Sequence, residues 1–230
     1  MISRRVESVR IVYLVLAGAA SPPGRALRNR QVELAGELLR ALLEAGRRRP
    51  DRPWYVRAFN ADAELHAHPL LTDAGQVHRK HLEGRWTEEF DLAACSSRLV
   101  LGLDRDEASF HRRQVGAVTS DVIFLSVDPP VDDAADLATY SDLLRMTRCG
   151  WIFLDPQVRR IPDALHGPHS VTIVDHPDVV AQILEYLAVA ENTDGEPGTL
   201  LLPGEGPGRT IELDPAPAEP SAVVDVRPYR

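Results

Sequence analysis

The chain has 230 residues, 44% of them hydrophobic, and its 26 Lys+Arg against 34 Asp+Glu leave a formal net charge of −8. That balance argues against sequence-independent nucleic-acid binding by the whole surface, and no apolar run approaches the roughly 20 residues a membrane span needs. Cys95 and Cys149 have no CxxC spacing, which points away from a disulfide or zinc framework and towards reduced thiols in a cytoplasmic protein.

Residues 10–17 read as a buried strand running into the small-residue loop Ala17-Gly18-Ala19-Ala20-Ser21. With Arg4 and Arg5 this stretch imitates a secretory signal peptide, but Glu7 among the basic residues and Tyr13 within the apolar run favour the strand. Pro22-Pro23-Gly24 then breaks the chain before a helix over about 26–46. Leu27, Leu34, Leu38 and Leu42 recur there at helical spacing. Nine arginines fall between positions 25 and 57, and their ordinary reading is a solvated helix face followed by the turn Arg47-Arg48-Arg49-Pro50.

Residues 54–60 predict a second strand, and 63–68 a short strand pairing with it through the turn Asn60-Ala61-Asp62. The pattern is lost over 71–83, a loop holding Lys80, the only lysine. Helices are predicted at about 87–101 and 104–116, a strong central strand at 122–127, a helix at 133–147, strands at 151–154 and 171–174, and a helix at 177–190 with Pro177 at its first position. Buried runs alternating with amphipathic stretches give the fold class: α/β, a doubly wound and mostly parallel sheet with one antiparallel edge strand and helices on both faces. The folded unit is assigned to 1–191. Residues 192–230 form a Pro-rich acidic tail, since 7 of the 18 prolines lie between 195 and 230; within it 199–213 has the pattern of a short hairpin, with 214–230 extended or disordered.

Ligands of open parallel sheets sit outside the carboxyl ends of the strands. Three carboxylates fall there, Asp128 in Val127-Asp128-Pro129, Asp155 in Leu154-Asp155-Pro156 and Asp175 in Val174-Asp175-His176. Each also has an ordinary role as a turn starter or helix cap. His66, His68, His78 and His81 lie within sixteen positions, and His166 and His169 flank Gly167-Pro168, but neither group has a zinc-binding spacing, and surface histidines are the simpler reading. No nucleophile elbow, dinucleotide fingerprint or Walker loop occurs.

The order of these elements, with a strand ending in Ala58-Phe59-Asn60-Ala61-Asp62 and a later one ending in an Asp-Pro turn, resembles a von Willebrand factor A domain over about residues 8–190. The resemblance implies a metal-ion-dependent adhesion site built from an Asp-x-Ser-x-Ser loop after the first strand, a Thr on a long loop and an Asp after the fourth strand. Such a site holds Mg²⁺ because a hard cation wants oxygen ligands. Carried onto this chain, Ala17 stands at the first Asp and Ala19 at the first Ser, while Ser21 keeps an oxygen. Thr87 takes the Thr position, Asp128 the later Asp, and Val131-Asp132-Asp133 resembles the rest of that loop. The site is therefore degenerate, of the bacterial type in this reading.

The expected function is a non-catalytic interaction module or adaptor of a bacterial multi-component system, associated with an NTPase or protease and defence-like in context. Its protein-binding surface is the loop face of Ala17, Gly18, Ala19, Ser21, Thr87, Asp128 and Asp132, together with the tail. The tail pieces 199–202 and 222–226 are suited to adding onto a partner's sheet edge. No cofactor, nucleic-acid or membrane partner is expected. Two alternatives stand beside it: weak Mg²⁺-dependent ligand binding through Ser21, Thr87 and Asp128, and a Mg²⁺-dependent hydrolase or phosphoryl-transfer enzyme using Asp128, Asp155 and Asp175, for which Ala17 is the wrong residue.

Overall fold

The structure is a computed structural model that describes residues 8–17, 24–50, 52–61, 65–67, 70–74, 82, 90–113, 115–127, 134–155, 158, 165 and 170–192. The strands are β1 (Ser8–Ala17), β2 (Trp54–Ala61), β3 (Leu65–Ala67), β4 (Ala117–Ser126), β5 (Arg148–Phe153) and β6 (Val171–Val174). They form one sheet in the order β3-β2-β1-β4-β5-β6. β2, β1, β4, β5 and β6 run parallel to one another, and β3 pairs antiparallel with β2. The chain moves outwards from β1 to β3, then returns to β4 on the other flank of β1, so the winding reverses between β1 and β4.

Side-chain alternation divides the core into two layers. Val12, Leu14 and Leu16 of β1, with Ile123 and Leu125 of β4, pack on helices α1 (Arg25–Arg47) and α4 (Val179–Asn192). Val9, Ile11, Tyr13 and Val15, with Val122 and Phe124, pack on α2 (Leu92–Arg112) and α3 (Ala134–Met146). A strand buried on both faces must be apolar throughout, which is why residues 11–17 form an unbroken apolar run. The second layer holds an aromatic stack in which Trp151 lies 4.2 Å from Phe124. The Trp151 Nε1–H donates to the Tyr140 hydroxyl at 2.8 Å, which in turn donates to the Leu165 carbonyl at 3.2 Å.

No side chain caps the start of α1 and no acidic residue sits in its first turn, so packing holds it. The helix buries Leu34, Ala35, Leu38, Leu39, Leu42 and Leu43 against the sheet. Its end comes so close to β2 that a Cβ on Gly46 would lie 2.5 Å from the Cβ of Trp54. Only glycine permits that approach.

Four sequence expectations are corrected. The two helices expected at about 87–101 and 104–116 are the single helix α2, because the buried positions Leu92, Cys95, Ser96, Leu99, Leu103, Asp106 and Phe110 continue across Gly102 without a break in phase. The Asp91 carboxylate caps that helix by accepting from the Ala94 N–H at 2.7 Å. β4 starts at Ala117 and β5 at Arg148, several residues earlier than the apolar runs suggest, since the first half of β4 is half-exposed and carries polar residues. Leu71, placed in a loop, exchanges backbone hydrogen bonds with Val56 at 2.7 and 3.1 Å and is buried. Pro177 lies in the turn before α4 and not at its first helical position. The tail lies outside the described residues apart from Asn192, as does the hairpin expected at 199–213.

Towards the amino edge of the sheet two arginines, buried Arg10 and half-buried Arg148, meet the buried carboxylate of Asp121. Arg10 Nε donates to Asp121 Oδ2 at 2.7 Å, and Arg10 Nη1 to the Leu187 carbonyl at 2.7 Å. Arg148 Nη2 makes an ion pair with the second carboxylate oxygen, Asp121 Oδ1, at 2.5 Å, off the axis of a hydrogen bond. The Arg10 guanidinium also lies 5.0 Å from the centre of the Trp54 ring, and that of Arg148 5.5 Å from the Tyr186 ring. Asp121 is fully buried, so two arginines share one desolvated carboxylate.

Candidate functional site

The carboxyl edge of the sheet, where β1 and β4 part, is where this topology places ligands. β1 ends there at Ala17, which is fully buried. A methyl group in that position offers no oxygen for a cation. What occupies the crevice is Gln31 of α1, whose Nε2 donates to the Ala17 carbonyl at 2.9 Å and to the Leu125 carbonyl at 2.7 Å. One buried amide thus bridges the ends of the two strands that frame the switch point. Both donors of the NH₂ group are used, which fixes the orientation of the amide and leaves Oε1 buried with no hydrogen-bond partner among the described residues.

Beside it, the backbone hands each strand end on to the next. The Leu154 N–H donates to the Ser126 carbonyl and the Asp155 N–H to the Val127 carbonyl, both at 2.9 Å, and the Asp175 N–H donates to the Phe153 carbonyl at 2.7 Å. Asp155 and Asp175 therefore stand at the ends of β5 and β6, as the sequence places them. Their side-chain environments differ. Asp175 is held in a two-point ion pair, with Arg30 Nε on Oδ2 at 2.7 Å and Arg30 Nη2 on Oδ1 at 2.8 Å. The Asp175 hydrogen bond raises the tendency of the Arg30 guanidinium to stay protonated, against the opposing effect of burial. A carboxylate whose two oxygens both face one guanidinium has spent its charge on that partner. Asp155 is half-buried, with its carbonyl accepting from the Val158 N–H at 3.2 Å in a turn.

His176 follows Asp175 and is taken up by the start of α4. Its Nδ1 lies 3.1 Å from the Asp178 backbone N–H and its Nε2 2.9 Å from Gln182 Oε1. These contacts fit one neutral tautomer, with Nδ1 accepting and Nε2–H donating. Both ring nitrogens then have partners within the helix end.

Of the loop-face residues, Ala17 alone lies among the described residues; Gly18, Ala19, Ser21, Thr87, Asp128 and Asp132 lie outside them. His66 falls in β3, while His68, His78, His81, His166 and His169 are outside the described residues. Among the described residues no group of three or more His, Cys, Asp or Glu side chains is placed to hold a metal ion. No helix among them is long and apolar enough to cross a membrane. Both cysteines are buried thiols whose ionisation is pushed up by burial.

Arg30 and Gln31 are the two residues that sequence reasoning missed at this edge. Gln31 had a legible signal, since it falls between Leu27 and Leu34 on the apolar stripe of α1, where a polar side chain must find partners. Arg30 had none, because its partner lies 145 residues away.

No family model matches the chain, and no curated protein matches it by sequence. Among solved structures the fold is similar to proximal thread matrix protein 1 of the mussel byssus, at a TM-score of 0.52 and 8% identity over 82% of this chain and 49% of that one. It is also similar to a von Willebrand factor type A protein from Catenulispora acidiphila, at a TM-score of 0.46 and 14% identity over 79% of this chain and 42% of the other. The SpRpn10 VWA domain matches at a TM-score of 0.48 and 11% identity, covering 78% of this chain and 94% of that domain. The chain spans about half the length, or less, of the first two.

Proposed function

We propose that the chain is a non-catalytic protein-interaction module of the von Willebrand A type with a degenerate adhesion site, comprising a folded unit at 1–191 and a tail at 192–230. It works in the cytoplasm as an adaptor of a bacterial multi-component system with an NTPase or protease component. The partner meets the loop face of Gly18, Ala19, Ser21, Thr87, Asp128 and Asp132 together with the tail, and no cofactor takes part; Ala17, expected on that face, is fully buried at the end of β1 and makes no part of the contact surface.

One observation carries this reading: the Gln31 amide nitrogen fills the switch crevice between the Ala17 and Leu125 carbonyls, and Arg30 neutralises Asp175. Binding a hard cation such as Mg²⁺ needs oxygen donors, carboxylates above all, with coordination capacity to spare. Contact needs only shape and small side chains, and the sequence Gly18-Ala19-Ala20-Ser21 that follows the buried Ala17 is of that kind.

The test is to place a bulky charge on the loop. The partner recovered by the full chain in its native host should be lost with Ala19→Arg, while the melting temperature stays the same. Recovery at wild-type level with Ala19→Arg overturns the loop-face assignment. Metal-dependent phosphatase or nuclease turnover abolished by Asp155→Asn overturns the non-catalytic one.

A further inference from the structure

α1 and α4 pack side by side on one face of the sheet, and both return from the carboxyl edge, so both end at the amino edge. Their ends differ in character. α1 closes in a pair of tight turns, with the Arg49 N–H on the Gly46 carbonyl and the Arg52 N–H on the Arg49 carbonyl, both at 3.0 Å. In and beside these turns Arg47, Arg48 and Arg52 are all exposed, within a stretch of sequence whose one acidic residue is Asp51. The Arg48 side chain is 78% exposed, with Glu44 no closer than 3.9 Å. α4 has no basic residue in its last turn.

The segment after α4 is of complementary sign: residues 193–214 contain Asp194, Glu196, Glu205, Glu212 and Asp214 against Arg209 alone. We propose that this acidic segment docks in cis on the basic surface of Arg47, Arg48 and Arg52.

The reach is sufficient. Glu196 is four residues beyond Asn192, and at about 3.3 Å per residue it spans roughly 13 Å, more than the roughly 8–10 Å between packed helix axes. Exposed ion pairs are individually weak, but a short tether keeps the acids at an effective concentration on the order of millimolar, which no free acidic protein matches. The docking lies at the edge opposite the loop face and does not rest on the interaction reading.

The experiment uses the full chain with Thr199→Cys carrying a nitroxide; Cys95 and Cys149 are buried, so the label goes to the new thiol. At low salt the amide signals of residues 46–52 should broaden. At about 1 M salt, where the screening length falls to about 3 Å, the broadening should disappear. It should also disappear in R47E/R48E/R52E and return when D194R/E196R is added to that variant.

Three results overturn the proposal. One is the absence of broadening at 46–52 at low salt. Another is broadening that survives both salt and charge reversal. The third is equal broadening when a spin-labelled chain is mixed with an isotope-labelled chain lacking the nitroxide, which would make the contact one between copies. The salt arm needs no charge-reversed variant, so it remains decisive if the triple variant folds poorly.

Discussion

The two edges of the sheet use the same side chains to opposite effect. At the carboxyl edge Arg30 holds Asp175 in a two-point ion pair, with Glu37 at 3.8 Å on its other side, while Gln31 closes the crevice with two neutral hydrogen bonds. At the amino edge two arginines meet one carboxylate in the interior, and further arginines stand exposed around them. An α/β sheet ordinarily keeps its free polar groups at the carboxyl edge, because that is where ligands bind. Here Arg47, Arg48 and Arg52 stand exposed at the other end. On the proposals above, the carboxyl edge serves contact and the amino edge receives an acidic chain segment.

The amino edge should be the more fragile of the two. Asp121→Asn removes the carboxylate that buried Arg10 and half-buried Arg148 share, and loss of one partner in a buried pair such as Arg10–Asp121 costs about 3–5 kcal/mol. Chemical denaturation should show that loss as a lower midpoint. A change below about 1 kcal/mol would mean that the triad is hydrated and the contrast between the edges overstated.

The carboxyl edge should respond less strongly. Gln31→Leu keeps the volume but strips the Ala17 and Leu125 carbonyls of their shared donor, at a cost of about 1–3 kcal/mol for a buried group left unsatisfied. If Gln31→Leu is instead neutral or stabilising, the amide is not what holds β1 and β4 together at their ends.

Alkaline pH separates the edges more finely. Burial, and then the Asp121 charge, push the Tyr186 hydroxyl well above the ordinary tyrosine range, with Arg148 and Arg10 opposing. An unfolded tyrosine ionises near about pH 10, so above that pH the unfolded chain releases a proton that the folded chain keeps. The stability linked to Tyr186 is complete below about pH 10 and falls by about 1.4 kcal/mol per further pH unit. Tyr13 contributes a slope of the same sign, raised by its own burial and then by Asp106, whose carboxylate accepts its hydroxyl hydrogen bond at 2.9 Å. Urea unfolding at pH 10–11 should therefore give a shallower pH dependence in Tyr186→Phe than in the wild type. Equal slopes would place Tyr186 in water.

Much of this architecture was legible in local patterns, and little of the bonding that distinguishes the edges was. The apolar run of β1 and the leucine stripe of α1 declare themselves because burial on both faces, or on one stripe, leaves a period in the sequence. α2 misled because Gly102 and Asp104 look like a helix break; the packing of Leu99, Leu103 and Phe110 outweighs the cost of an interior glycine. Arg10 and Asp121 each stand as a lone charge in a buried strand, and that oddity was visible. Their pairing across 111 residues was not, because it depends on β1 and β4 becoming neighbours. At the carboxyl edge Ala17 was legible as the end of β1, while Gln31, whose amide bonds to its carbonyl, was passed over.

That the carboxyl edge serves contact rather than metal chemistry is tested most directly by calorimetric titration of Mg²⁺ and Mn²⁺ into the purified full chain. No saturable binding is expected up to millimolar concentrations, in the wild type and in Asp128→Ala alike. Binding tighter than millimolar that disappears in Asp128→Ala would contradict the contact reading.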